Sequence, residues 1–233
     1  MKTSALSFLF LISTLALKAQ CNSFFPMKEN VKYQYDHFDK KEKLSLRTRQ
    51  WFKDVKGSGN TMNATMVQEM IDVKKDELIG TSESDWKCDD GTLHFEINNM
   101  SFAGQAQPNM GGSGMTMDVT GDQMDIPNDF EVGETLKDLT YQIKMAVNGM
   151  TMMNKSFHVK NRKVEAKESV TTRSGNYDCF KVSFTTTSEG GIGSGTIKTL
   201  IWYAKGVGMV KSENYDKNNK LMSRQVLTKV SGS

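Results

Sequence analysis

The sequence predicts an all-β fold, an antiparallel meander whose strongly curved sheet forms an open or closed barrel. Three observations lead there. Apolar and polar residues alternate with a period of two over several long runs, polar turns of one recurring composition separate those runs, and past the leader no segment sustains a helical apolar stripe. The alternation is plainest where Leu139, Tyr141, Ile143, Met145 and Val147 interleave with Thr140, Gln142, Lys144 and Ala146. A sheet of this many strands twists, and it must curl or fold over to bury one face.

Residues 1–19 carry an early Lys2, an apolar run from Ala5 to Leu17 and small Ala19, the pattern of a secretory signal peptide cleaved after Ala19. Cys21 is preceded by Gln20 and Lys18, where lipidation needs a small and an aliphatic residue. Export without a lipid on Cys21 is therefore the expectation, to the periplasm or the exterior. No later run is long and apolar enough for a transmembrane helix. Removing the leader leaves 28 basic residues against 27 acidic ones, a balance that gives no footprint for nucleic acid. Residues 20–233 are expected to form a single all-β domain.

Along that domain, three related segments stand between extended arms: Phe38 to Leu44, Asp72 to Leu78 and Tyr215 to Leu221, each a polar lysine-containing turn that closes on a leucine. Recurring hairpins of this kind imply an antiparallel meander. Between the first two, Met62, Ala64, Met66 and Met70 share one side of Thr61–Ile71, with Thr65 and Glu69 opposite. Further turns are expected at Lys56–Asn60, Asp89–Gly91 and Gly190–Gly195. Asn98–Gly114, rich in Gly, Gln and Asn, reads as a loop. Asn148-Gly149 is the sharpest turn signal, because both residues tolerate the positive φ of a two-residue hairpin. Phe157 and Val159 continue the alternation beyond it. In WYAKGVGMVKS (Trp202–Ser212), Gly206-Val207-Gly208 breaks two strands and reads as a turn. A phosphate loop would have to open a helix, and the residues after Gly208 alternate like a strand.

That stretch, with SGNYDCFKVSF (Ser174–Phe184) and CNSFFPMKENVKYQY (Cys21–Tyr35), resembles the TapB-like family of secreted Bacteroidota proteins, a family of unknown function. The resemblance runs from about Cys21 to the C-terminus and implies an exported all-β domain. It brings no catalytic or ligand residues, and Ala103–Gly114 departs from its pattern.

Export permits a disulfide among Cys21, Cys88 and Cys179. Cys88 shares a strand face with Trp86, whereas Cys179 points opposite to Phe180, Val182 and Phe184, which favours a Cys21–Cys88 bridge over the alternative of three unpaired thiols. His37, His94 and His158 stand apart, without metal-ligand spacing, and no G-x-S-x-G elbow exists. No cofactor is expected.

Sixteen methionines are the compositional oddity, densest at Met115 and Met117 and at Met150, Met152 and Met153. Thioethers could hold copper(I), but methionine is foremost an adaptable filler of concave apolar surfaces. The reading reached is an exported, non-enzymatic domain that binds an apolar ligand or an envelope partner in a concave sheet face lined by Met62, Met66, Met145 and Phe180. The alternatives are a carboxylate-dependent hydrolase of envelope material and a structural barrel with a filled interior.

Overall fold

The structure, a computed structural model, describes residues 21–95, 115–190 and 194–232, with the backbone alone for 115–117. The leader, the whole of the Asn98–Gly114 loop and residues 191–193 of the Gly190–Gly195 turn lie outside the described residues.

Among the described residues, thirteen strands form one antiparallel sheet: β1 Lys32–Asp39, β2 Leu44–Ser58, β3 Thr61–Asp72, β4 Glu77–Asp89, β5 Thr92–Phe95, β6 Met115–Gly121, β7 Met124–Ile126, β8 Leu139–Val147, β9 Met150–Thr172, β10 Gly175–Glu189, β11 Gly195–Ala204, β12 Gly208–Tyr215 and β13 Leu221–Ser231. Their order across the sheet is β6-β8-β9-β10-β11-β12-β13-β1-β2-β3-β4-β5-β7. Two meanders, β1–β5 and β8–β13, are thus joined where the last strand pairs with the first. Among the described residues there is no helix.

The edges decide the shape. β6 and β7 are the two ends of the sheet, yet only Asp122 and Gln123 separate them along the chain. The sheet must therefore curl until its edges meet, and it forms an open barrel whose seam carries no β6–β7 ladder. Side chains bridge the seam instead. Arg162 on β9 donates from Nη2 to the Asp125 carbonyl on β7 at 2.9 Å and from Nη1 to the Lys137 carbonyl at 2.7 Å. Asp122 Oδ2 accepts the Thr140 N–H of β8 at 2.9 Å.

The three repeated turns share one device. Asp39 Oδ1 accepts the N–H groups of Lys41 and Lys43, Asp72 Oδ1 those of Lys74 and Lys75, and Asp216 Oδ1 those of Asn218 and Lys220. Those hydrogen bonds hold each carboxyl below its ordinary pKa. Each loop then turns through a left-handed residue, Glu42, Asp76 or Asn219. Asn148 and Gly149 have φ of 50° and 80°, as a two-residue type I′ hairpin requires.

The interior face of the curled sheet holds the main core: Phe52, Met66, Leu93, Phe95, Ile126, Leu139, Val159, Val182, Ile201 and Tyr203 are all buried there. A smaller core forms on the outer face around Trp202, Ala204, Cys179 and Val210. There the Trp202 ring lies between Lys211 Nζ at 4.4 Å and Lys181 Nζ at 5.3 Å, and its indole N–H donates to Glu168 Oε1 at 2.5 Å. The lysine stems cover the indole while their charged heads reach water, so a tryptophan on the convex side is only 4% exposed.

Candidate functional site

One end of the barrel is stoppered by the chain's own N-terminal segment. Cys21 and Cys88 are joined as a disulfide, and Cys179 is free and buried, its thiol pushed up to about 11 by burial and then by Asp178 and Glu168. The segment after Cys21 enters the interior. Phe24 is fully buried, with its ring 4.6 Å from Phe130, 5.9 Å from Phe180 and 6.4 Å from Tyr203. Phe25 packs against Trp86 at 5.4 Å and Tyr203 at 6.0 Å. Asn22 fixes the entry: its buried amide donates to the carbonyls of Gly91 at 2.8 Å and Ile126 at 3.1 Å, while its Oδ1 accepts the Phe24 N–H at 3.0 Å. An amide buried with its hydrogen bonds satisfied orients a segment at little cost, whereas an unsatisfied one would cost about 1–3 kcal/mol.

All four residues of the expected apolar site, Met62, Met66, Met145 and Phe180, belong to or pack against this interior core. Met66 is buried and borders a narrow cavity with Phe25, Tyr33, Tyr35, Phe52 and Val207 that amounts to about 10 Å³. That is room for one water at most, where a ligand-sized pocket begins at about 300 Å³. Phe180 belongs to the aromatic group around Phe24. Met62 stands opposite Cys88, and Met145 packs on the same core from β8.

The methionine clusters come together at one end of the sheet. Register sets Met117 opposite Met145 and Met145 opposite Met153, and Met115 opposite Val147, which pairs with Met150. Met145 and Met153 are half-buried against the core, whereas Met150 and Met152, at the start of β9, are 70% and 69% exposed. A bulge places Met152 outside the regular pairing.

The histidines have separate partners. His37 is buried, its Nε2 is 3.0 Å from Thr48 Oγ1, and burial lowers its pKa to about 4 against the upward pull of Asp36. His94 pairs with Asp125 at 2.8 Å across β5 and β7, and His158 stands 3.9 Å from Glu189. Among the described residues no three His, Cys, Asp or Glu groups converge on a point.

Sequence reasoning missed a second concavity, an open cleft of about 350 Å³ on the outer face where β13, β1, β2 and β3 run side by side. Lys32, Gln34, Arg49, Glu69 and Lys229 line it. These residues are spread from position 32 to 229, and only the pairing of the last strand with the first brings them together.

The sequence profile of the DUF3108-like family matches residues 28–227, and the chain belongs to that family, whose function is unknown. No curated protein matches the chain. Among solved structures it is similar to a candidate exported protein with a YmcC-like fold from Bacteroides fragilis, at 21% identity and a TM-score of 0.74. It is also similar to a candidate lipoprotein from Parabacteroides distasonis, at 20% identity and a TM-score of 0.71. Each match covers 91% of this chain and 100% of the other. The likeness establishes the fold.

Proposed function

We propose that this member of the DUF3108-like family is an exported, non-enzymatic binding domain, folded as one unit from Cys21 onward, that engages an apolar surface of an envelope partner through the methionine end of its sheet. The observation that carries this reading is the contrast in exposure. The interior is occupied by the chain's own aromatic rings, while Met150 and Met152 stand in solvent beside half-buried Met145 and Met153. Thioether side chains are polarisable and adapt to irregular partner surfaces, and a pair left exposed suits recognition better than stability.

Export rests on the leader with cleavage after Ala19, and the disulfide fits an oxidising compartment. Engagement of Cys21 Sγ by Cys88 supports an unlipidated Cys21, since that sulfur is not free to form a thioether. The TapB-like assignment rests on Cys21–Tyr35, Ser174–Phe184 and Trp202–Ser212, which here build the plug, the β10 strand and the β11–β12 turn. An apolar small molecule bound inside, near Met62, Met66, Met145 and Phe180, would require the plug to withdraw.

To test the partner reading, a photoreactive phenylalanine derivative is placed at position 152, and in a second variant at Met222, another exposed methionine. Irradiation in intact cells should give one dominant envelope adduct from position 152 and none from 222. Equal labelling from both positions contradicts the reading.

A second reading has one observation in its favour. The Met117, Met145 and Met153 row brings three thioether-bearing positions to adjacent strands, the number that a soft copper(I) site needs. Copper(I) titration under reducing conditions separates the two. Stoichiometric, saturable binding lost on replacing these residues with leucine would make metal handling the function, and absence of binding leaves the partner reading.

A further inference from the structure

We propose that the outer-face cleft around Gln34 is a binding site for a phosphomonoester, held by Lys32, Arg49 and Lys229. On and beside the strands that flank the cleft, several cations meet carboxylates: Arg47 with Asp36 at 2.7 Å, Lys53 with Glu83 at 2.6 Å, Lys211 with Glu213 at 2.7 Å and Arg224 with Glu42 at 3.1 Å. The cleft differs in gathering three cations, Lys32, Arg49 and Lys229, around one concavity with a single carboxylate, Glu69.

Register sets Lys229, Gln34, Arg49 and Glu69 directly opposite one another on β13, β1, β2 and β3, so the four share one face at steps of about 5 Å. Lys32 lies two residues before Gln34 on the same face, diagonal to both Lys229 and Arg49. Three cations thus surround one neutral amide, and a single carboxylate answers them. Glu69 Oε2 is 4.0 Å from Arg49 Nη1, too far for a hydrogen bond, so the guanidinium keeps its donors. Neither Lys32 nor Lys229 has a carboxylate at ion-pair distance among the described residues. Lys32 is steered by an aromatic ring, its Nζ resting 4.4 Å from the centroid of Trp51.

Charge and size select the ligand. Three cations less Glu69 leave a local charge of about +2, in a chain whose mature total is near +1, and a phosphomonoester carries about −1.5 to −2 at neutral pH. A carboxylate would neutralise half of that excess. The planar fork of Arg49 suits two phosphate oxygens, and the lysines act as point charges on the third. A cleft of about 350 Å³, open to solvent, accepts the phosphate and a body of about one sugar ring. A soluble sugar phosphate and a phosphomonoester lipid headgroup share this chemistry.

The full mature chain is titrated calorimetrically at low salt with glucose 6-phosphate, with glucuronate, and with vesicles of phosphatidylcholine with or without phosphatidic acid. Saturable binding of glucose 6-phosphate, about tenfold tighter than glucuronate, is the expected result. Binding to phosphatidic acid vesicles without binding to glucose 6-phosphate would place the phosphomonoester on a lipid. Arg49→Gln should weaken binding about tenfold and Lys229→Gln severalfold, while Glu69→Gln should tighten it. Lys205→Gln, whose lysine pairs with Asp129 elsewhere, serves as control and should change nothing. All four positions are at the surface, so unchanged thermal unfolding separates lost binding from lost fold. No saturable binding to either phosphomonoester, equal affinity for glucuronate, or an Arg49→Gln variant that binds as tightly as the wild type would overturn the assignment.

Discussion

The two ends of the barrel solve opposite problems with the same apolar residue types. At the plugged end, Cys21–Met27 turns inward, Phe24 loses all contact with water, and a disulfide and a satisfied asparagine fix the segment in place. At the methionine end, the β8–β9 hairpin carries Met150 and Met152 out into solvent on a two-residue turn, with no cross-link to hold them. Apolar content alone therefore does not separate covered packing from uncovered surface in this fold. Apolar groups that the chain itself covers make stability, and those it leaves uncovered are available to a partner.

Mutation should separate the ends sharply. Phe24→Ala removes a ring from the centre of the aromatic group and should lower unfolding stability by about 3–5 kcal/mol in denaturant titration, because the surrounding sheet cannot collapse into the space. A loss under about 1 kcal/mol would mean that the plug is not part of the core. Replacing Cys21 and Cys88 together by serine should cost about 2–5 kcal/mol, the usual effect of losing a disulfide that spans a long loop. Comparing oxidised and reduced wild type by thermal unfolding checks this independently of the serine side chains.

The interior beyond the plug gives a pH test. His37 sits on the inner face of β1, opposite Gln225, and burial depresses its folded pKa to about 4 from an ordinary value near 6.5. Between those values the unfolded chain binds the proton and the folded chain does not. Stability is therefore fully present above pH 6.5 and falls as pH drops toward 4, by up to roughly 3 kcal/mol. His37→Gln keeps a hydrogen-bonding partner for Thr48 and should flatten that part of the curve. An unchanged slope would assign the titration to other groups. The smallest effect belongs to the other end, where Met150→Ser with Met152→Ser should change stability by less than about 0.5 kcal/mol per site.

Much of the architecture was legible because it is local. Asp39, Asp72 and Asp216 announce their turns by composition, Asn148-Gly149 announces its hairpin, and alternation over Leu139–Val147 assigns its faces. The β10 alternation that set Cys179 against Phe180 also holds, with Cys179 in the outer core and Phe180 turned toward Phe24. What local pattern could not carry is which distant strands meet. The pairing of β1 with β13, the seam between β6 and β7 and the plug by Phe24 all join residues far apart in the chain, and periodicity is silent about such neighbours. Trp202 is buried on the outer face because Lys181 and Lys211 lie over its ring, neighbours that alternation along one strand does not reveal. Of the candidate sites, the methionine positions were visible as clusters, though their convergence on β6, β8 and β9 was not. The cleft around Gln34 left no mark in the sequence, since its cations stand singly on three strands.

Whether the interior is packing and the methionine end the recognition surface proposed above is decided by methyl nuclear magnetic resonance of protein labelled at methionine Cε and titrated with monomeric dodecanoate as an apolar probe. The Met150 and Met152 methyls should shift as the probe is added while those of Met66 and Met124, both buried in the main core, stay where they are. Saturable shifts at Met66 and Met124, with Met150 and Met152 unmoved, would show instead that the barrel opens to a ligand and that the methionine end is not the recognition surface.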